Sequence, residues 1–171
     1  IFTGNATFGN VPITGEPDIP NPFIAEYDGY DGALSWVASP EKQRGVASAL
    51  GVVNDDRGGA TIVGYFHESI NFGKGNLKNL SDSGSDIFVV NFDGGGNTRW
   101  ALLLGGTGDD IGRKITRDEN NDIYITGEFQ NDIDFETSVG QLLSNGGTDI
   151  FVAKIAEGGF PVWLRSFGSP N

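Results

Sequence analysis

The chain of 171 residues contains no cysteine, which removes disulfides, thiolate metal sites and cysteine nucleophiles from its chemistry. It also contains no methionine, so it reads as a mature product, a processed piece or a portion of something longer. Basic residues are scarce, 11 Lys and Arg against 23 Asp and Glu, and the net charge is -12. Phosphate recognition needs clustered cations, so nucleic acid is not expected as a partner. No run approaches the roughly 18 apolar residues of a membrane helix, so no membrane insertion is expected. The opening IFTGNATFGN lacks the basic start and apolar centre of a signal peptide, and any export signal is expected to be gone already. Helical periodicity is missing as well: no segment sustains apolar residues every 3.6 positions.

What the chain does have is a repeat. GSDIFVVNFDGGGNTRW, Gly84 to Trp100, returns as GTDIFVAKIAEGGFPVW, Gly147 to Trp163. A fainter copy runs from Asn21 to Trp36 as NPFIAEYDGYDGALSW. Trp36, Trp100 and Trp163 are 64 and 63 residues apart, and Gly4, Gly64 and Gly127 match them at spacings of 60 and 63. Such a period, written about three times, marks an array of small structural units that bury their faces against each other. Approximate repeats are 1–63, 64–126 and 127–171, within a single repeat region covering 1–171.

Within the clearest period the signals are all strand and turn. GRKITRD (112–118), DIYITGEFQ (122–130), DIFVAKI (149–155) and VWLRSFG (162–168) are rich in β-branched and aromatic residues. Asn, Asp and Gly clusters separate them and suit tight turns. The glycines in VGYF and TGEF predict close backbone approach or a bend. Four antiparallel strands repeated in this way predict blades of a β-propeller. The segments DIFVV, GGTGDDIGR, NDIYITG and the following aromatic position resemble the bacterial seven-bladed β-propeller repeat family, often abbreviated SBBP. The first copy departs from that pattern, with SPEKQR where the second has LGGTGDDIGR. The resemblance implies an extracellular or cell-surface setting and no particular activity. The fold expectation is all-β, with antiparallel four-stranded blades: 11 strands, or 2.75 blades, the chain opening on a second strand. Too few blades to close a ring predict further blades from a longer chain or a homo-oligomer.

In an up-and-down blade, the fourth-to-first and second-to-third connections share one face. That places Gly105 to Asp110 beside the two long connections after Phe66 and Phe129, where ordered loops on a rigid scaffold bind ligands. The candidate ligand-facing residues are Asp109, Asp110, Asp132, Asp134, Glu68 and Asn71, weighed against a solvated acidic loop. Asp118, Asn120 and Asp122 have the alternate spacing that begins a calcium loop, but the glycine and later glutamate of an EF-hand are missing. A structural turn is preferred there, and no cofactor is expected. Trp36, Trp100 and Trp163, with Phe88 and Phe151, recur as packing positions must. Glu26, Asn91 and Lys154 share a place in the third strand and vary in charge, which predicts a solvent-facing or edge position. His67 is the only histidine, and no local motif supplies it with catalytic or zinc partners.

The resulting expectation is a non-catalytic scaffold or adhesion module at the cell surface, with a protein or glycan as partner. The competing readings are a carbohydrate-binding or glycoside-processing domain using the acidic loops, and a structural subunit of a surface fibre.

Overall fold

The computed structural model describes residues 1–135, 137 and 139–170. No helix occurs among them, and fifteen strand segments form five antiparallel sheets. The first of these segments, in chain order, are β1 (Asn5–Phe8), β2 (Val11–Thr14), β3 (Ile24–Tyr27), β4 (Leu34–Ala38) and β5 (Lys42–Arg44). β6 (Ala47–Asn54), β7 (Ala60–Phe66), β8 (Ser69–Asn71), β9 (Asn76–Lys78), β10 (Asp86–Phe92) and β11 (Thr98–Leu104) follow. The last four are β12 (Ile111–Arg117), β13 (Ile123–Ile133), β14 (Leu142–Ile155) and β15 (Pro161–Phe167).

Two complete blades stand side by side, β6-β7-β10-β11 and β12-β13-β14-β15, each a four-stranded meander. A first blade contributes the β3–β4 ladder. The expected opening second strand does not lie in that ladder. Residues 5–8 pair instead with β2, and a single bridge, Phe2 to Asn21, marks where the second strand ends. The structural equivalents are set by backbone conformation. Gly4 (φ 62) matches Glu68 (φ 58) and Asn131 (φ 61), all in left-handed conformation. Phe2, Phe66 and Phe129 therefore correspond, each two residues earlier, and Gly4 does not correspond to Gly64 and Gly127. Those last two glycines behave as expected. A Cβ would lie 1.9 Å from the Ser48 carbonyl oxygen at Gly64 and 1.9 Å from that of Ile111 at Gly127, where the first strand crosses.

The two long connections are more regular than loops. After the left-handed residue the chain forms a hairpin, β8–β9 in one blade and the outer part of β13–β14 in the next. Their apolar residues explain why: Ile70 and Ile133 are fully buried, and Phe72 and Phe135 nearly so.

The core lies between blades. Side chains of successive strand residues point to opposite faces, so β10, buried along its whole length, serves two neighbours at once. Phe88, Val90 and Phe92 pack toward the first blade with Trp36 and Phe66. Ile87 and Val89 pack toward the third with Ile125 and Phe151. Full burial of one such side chain contributes about 1.5–3 kcal/mol, so the seams between blades carry much of the stability.

Candidate functional site

The tryptophans are part of each seam. Trp36 lies against Gly96 in the third-to-fourth turn of the next blade, and Trp100 lies against Gly159 in the turn after that. Both glycines have positive φ, 79 and 85, and a Cβ there would approach the indole to 2.8 and 2.7 Å. Trp100 also donates its indole N–H to the Glu157 carbonyl at 3.0 Å. Phe88 and Phe151 are fully buried, each at the middle of its third strand.

On the same lower face, aspartates close the turns. Asp118 accepts from the amides of Asn120 (2.9 Å) and Asp122 (3.0 Å), and its other oxygen accepts from the Tyr124 hydroxyl. Lys154 lies 2.8 Å from Asp122 and 3.7 Å from Asp118. The hydrogen bond to Asp122 raises the pKa of Lys154 above the ordinary lysine value. Among the described residues no group of three or more acidic or histidine side chains is arranged to hold a metal ion. Asp55 and Asp93 close their turns in the same way, each accepting from the amides two and four residues on.

The expected solvent-facing place in the third strand is a correction. Asn91 is buried at 7 % exposure and donates to the Thr61 hydroxyl at 2.8 Å, while Lys154 pairs with acids of its own blade. The difference between Asn91 and Lys154 reflects different polar partners in the second and third blades, not exposure to water.

The upper face gathers the fourth-to-first and second-to-third connections, as the meander requires. Gly105 bridges Asp134, and the segment 105–110 lies along the seam between the second and third blades. Asp109, exposed at its outer edge, accepts from the amide and hydroxyl of Ser85, both at 3.1 Å. Asp132 accepts from the Thr107 amide at 3.1 Å, from the Thr107 hydroxyl, and from Gln141 at 2.8 Å. Burial acts to raise its pKa, but the Thr107 and Gln141 donors outweigh it and hold the carboxyl below its ordinary value. Asp134 is half-buried beside this bridge.

Asp110 has no exposed surface. Its carboxylate accepts from the amides of Gly106 (2.9 Å) and Gln130 (3.3 Å). Burial first, then the charge of Asp86 across the seam, push its pKa up to about 8 against these donors. Its neighbour in sequence reaches water, but Asp110 staples a glycine-rich segment to two blades.

Glu68 and Asn71 stand at the other seam, between the first and second blades. Glu68 is exposed in its left-handed position, and Asn71 is half-buried in β8, capping the Gly73 amide at 2.7 Å. The six candidates are thus divided between two seams. His67 is half-buried, with its ring edge-on to Tyr65.

Sequence reasoning misses the buried polar residues at the start of the third strand. Asn21, Asp86 and Asp149 are 2 %, 0 % and 3 % exposed. Each accepts a backbone amide from the connection before it, those of Glu16, Leu80 and Asn145. The aspartate of the repeated DIF phrase is the available signal, since a polar residue recurring beside core positions is held there by hydrogen bonds.

Fold and site together define an array of β-propeller blades joined by polar and aromatic seams. Residues 99–128 match the family model described as the SBBP beta-propeller repeat. The matched stretch runs from β11 through the seam segment and β12 into β13, so it spans one complete junction between blades. The uncharacterized WD repeat-containing protein L264 of Acanthamoeba polyphaga mimivirus is 26% identical over 183 residues, covering 94% of this chain. The chain spans 12% of the length of that relative.

Proposed function

We propose that the chain is a non-catalytic propeller scaffold that presents its upper face to a protein or glycan partner, outside the cell or at its surface. One observation carries this reading. Matched positions inside the blades keep their roles in packing, whereas matched positions on the upper face change character: Lys42 for Gly105, Arg44 for Thr107, Ser69 for Asp132. A surface free to vary on a constant frame is what an interaction module requires. The extracellular setting follows the resemblance of the repeat, and no resident metal or cofactor is proposed.

Further strands are proposed to complete the first blade, from a longer polypeptide or another copy. A void of about 730 Å³ opens between the β3–β4 ladder and β6, lined by Phe8, Phe23, Trp36 and Val52 among others. At the next seam, β6 and β7 occupy the matching place and pack against β12.

The test replaces residues 42–46 with the sequence of 105–109 and compares both proteins on an array of glycans and extracellular proteins. The expected result is binding that the exchange removes while the fold survives. Binding indifferent to the exchange, or turnover of an arrayed glycan, would overturn the proposal.

A further inference from the structure

The upper face changes sign from one seam to the next. Between the second and third blades it carries Asp109, Asp132 and Asp134. Between the first and second, β5, β8 and β9 form a small sheet in which Lys42 pairs with Asn71 and Asn71 with Asn76. One step along, Arg44 pairs with Ser69 and Ser69 with Lys78. The alternate row, Gln43, Ile70 and Leu77, turns inward, Gln43 and Ile70 being 4 % and 0 % exposed. The outward row is therefore composed of two lysines, one arginine, two asparagines and a serine.

Cross-strand neighbours in a sheet usually place opposite charges together. Here the residue between Arg44 and Lys78 is neutral. Ion pairs among the described residues engage Arg57, Arg99, Arg113, Arg117 and Lys154. Lys42, Arg44 and Lys78 form none, nor does Lys74 in the β8–β9 turn. In a chain of 11 basic residues and net charge -12, four unpaired cations on one three-stranded sheet form a local reversal of charge. Groups two strands apart are separated by roughly 10 Å, so the cations are spread over a platform. An open groove of about 1430 Å³ is lined by Lys42, Arg44 and Lys78 of the platform, with Glu16, Glu68 and Asp82 also in its wall.

We propose that this platform binds an acidic glycan, its carboxylate or sulfate groups on Arg44, Lys42 and Lys78 and its hydroxyls on Asn71, Asn76 and Ser69. The proposal rests on the reading of the chain as an interaction module and names the ligand of one seam. The chemistry favours a sugar over other anions. The six outward side chains include no apolar one to anchor a peptide, the exposed Leu80 of the same groove standing outside the row, and none is aromatic, as stacking on a nucleobase requires. Amide and hydroxyl groups interleaved with cations match a chain of hydroxyls interleaved with acids. The strongly negative surroundings repel a long polyanion that lies beyond the platform, which limits the ligand to a short acidic segment.

The full chain is titrated with an oligogalacturonate and with a heparin oligosaccharide, which separate carboxylate from sulfate recognition. A neutral galacto-oligosaccharide, polyglutamate and a single-stranded DNA oligomer serve as comparators. Binding of at least one acidic oligosaccharide is expected, weakened tenfold or more in the triple variant Lys42→Ala, Arg44→Ala, Lys78→Ala. A second variant, Ser69→Glu, places an anion between Arg44 and Lys78, pairs with both and is expected to abolish binding without loss of thermal stability. Lys114→Ala and Arg165→Ala, on the third blade, are expected to leave binding unchanged. No binding of either acidic sugar, binding retained in both platform variants, or equal binding of polyglutamate or DNA overturns the proposal. If the exchange of 42–46 removes a protein partner while neither sugar binds, the interaction reading stands and the glycan assignment fails.

Discussion

Raising the pH should loosen the seam between the second and third blades through one side chain. Asp110 has a pKa of about 8 in the folded chain against an ordinary 3.8. The folded state thus holds the proton more tightly than the unfolded chain does. The stabilisation is fully present below about pH 4 and is lost as pH rises through about 8. A tenfold tighter hold on the proton corresponds to about 1.4 kcal/mol, which sets a ceiling of about 5–6 kcal/mol across that window. For a chain of this size the ceiling amounts to a fall in melting temperature of about 3–5 °C for each step of one in pH. Asp110→Asn removes the titration. Its amide group faces a backbone N–H, so the variant should be less stable by about 1–3 kcal/mol at pH 5, with a flatter profile from pH 5 to 9. Melting by circular dichroism, repeated for both proteins at each pH, measures the two slopes. A wild-type melting temperature that is constant between pH 5 and 9, or a variant with the same slope, would refute the assignment of the buried proton to Asp110.

Two further outcomes bear on the seams and turns. Gly159→Ala should cost about 2–4 kcal/mol, because it combines backbone strain with displacement of the Trp100 ring. Gly32→Ala, at the matched turn with φ 69 and no atom within 4 Å of the new Cβ, should show only the conformational part, about 1–2 kcal/mol. Equal losses in urea melts would remove the tryptophan seat as an explanation. Millimolar calcium should leave the melting temperature unchanged, since amides, Tyr124 and Lys154 already engage Asp118 and Asp122. A calcium-dependent rise in stability would show that the turn binds the ion after all.

Much of the frame is legible in the sequence because packing positions must recur. The strand centres at Phe88 and Phe151, the tryptophans and the turn-closing Asp55 and Asp118 all keep the period of about 63 residues. The first repeat aligns wrongly by letter, for a physical reason. Left-handed backbone is occupied there by Gly4, Glu68 and Asn131, three different residues, while the shared TG dipeptide points elsewhere. The conformation, not the letter, defines the equivalence.

The acidic candidates show the limit more sharply. Asp109 and Asp110 are adjacent and chemically identical, yet one meets water and the other is sealed beneath Gly106 and Gln130. Asn91 and Lys154 occupy one matched position and find different partners. Likewise, SPEKQR departs visibly from GGTGDD, but only pairing of β8 with both β5 and β9 aligns Lys42, Arg44 and Lys78 on one surface.

The sequence by itself determined an all-β array with a three-fold repeated frame, because period, strand composition and turn residues are local or recurrent properties. Only the tertiary structure decided which carboxyl is buried and which cations share a face. Burial and charge neighbourhood arise where one blade meets the next, between residues far apart in the chain.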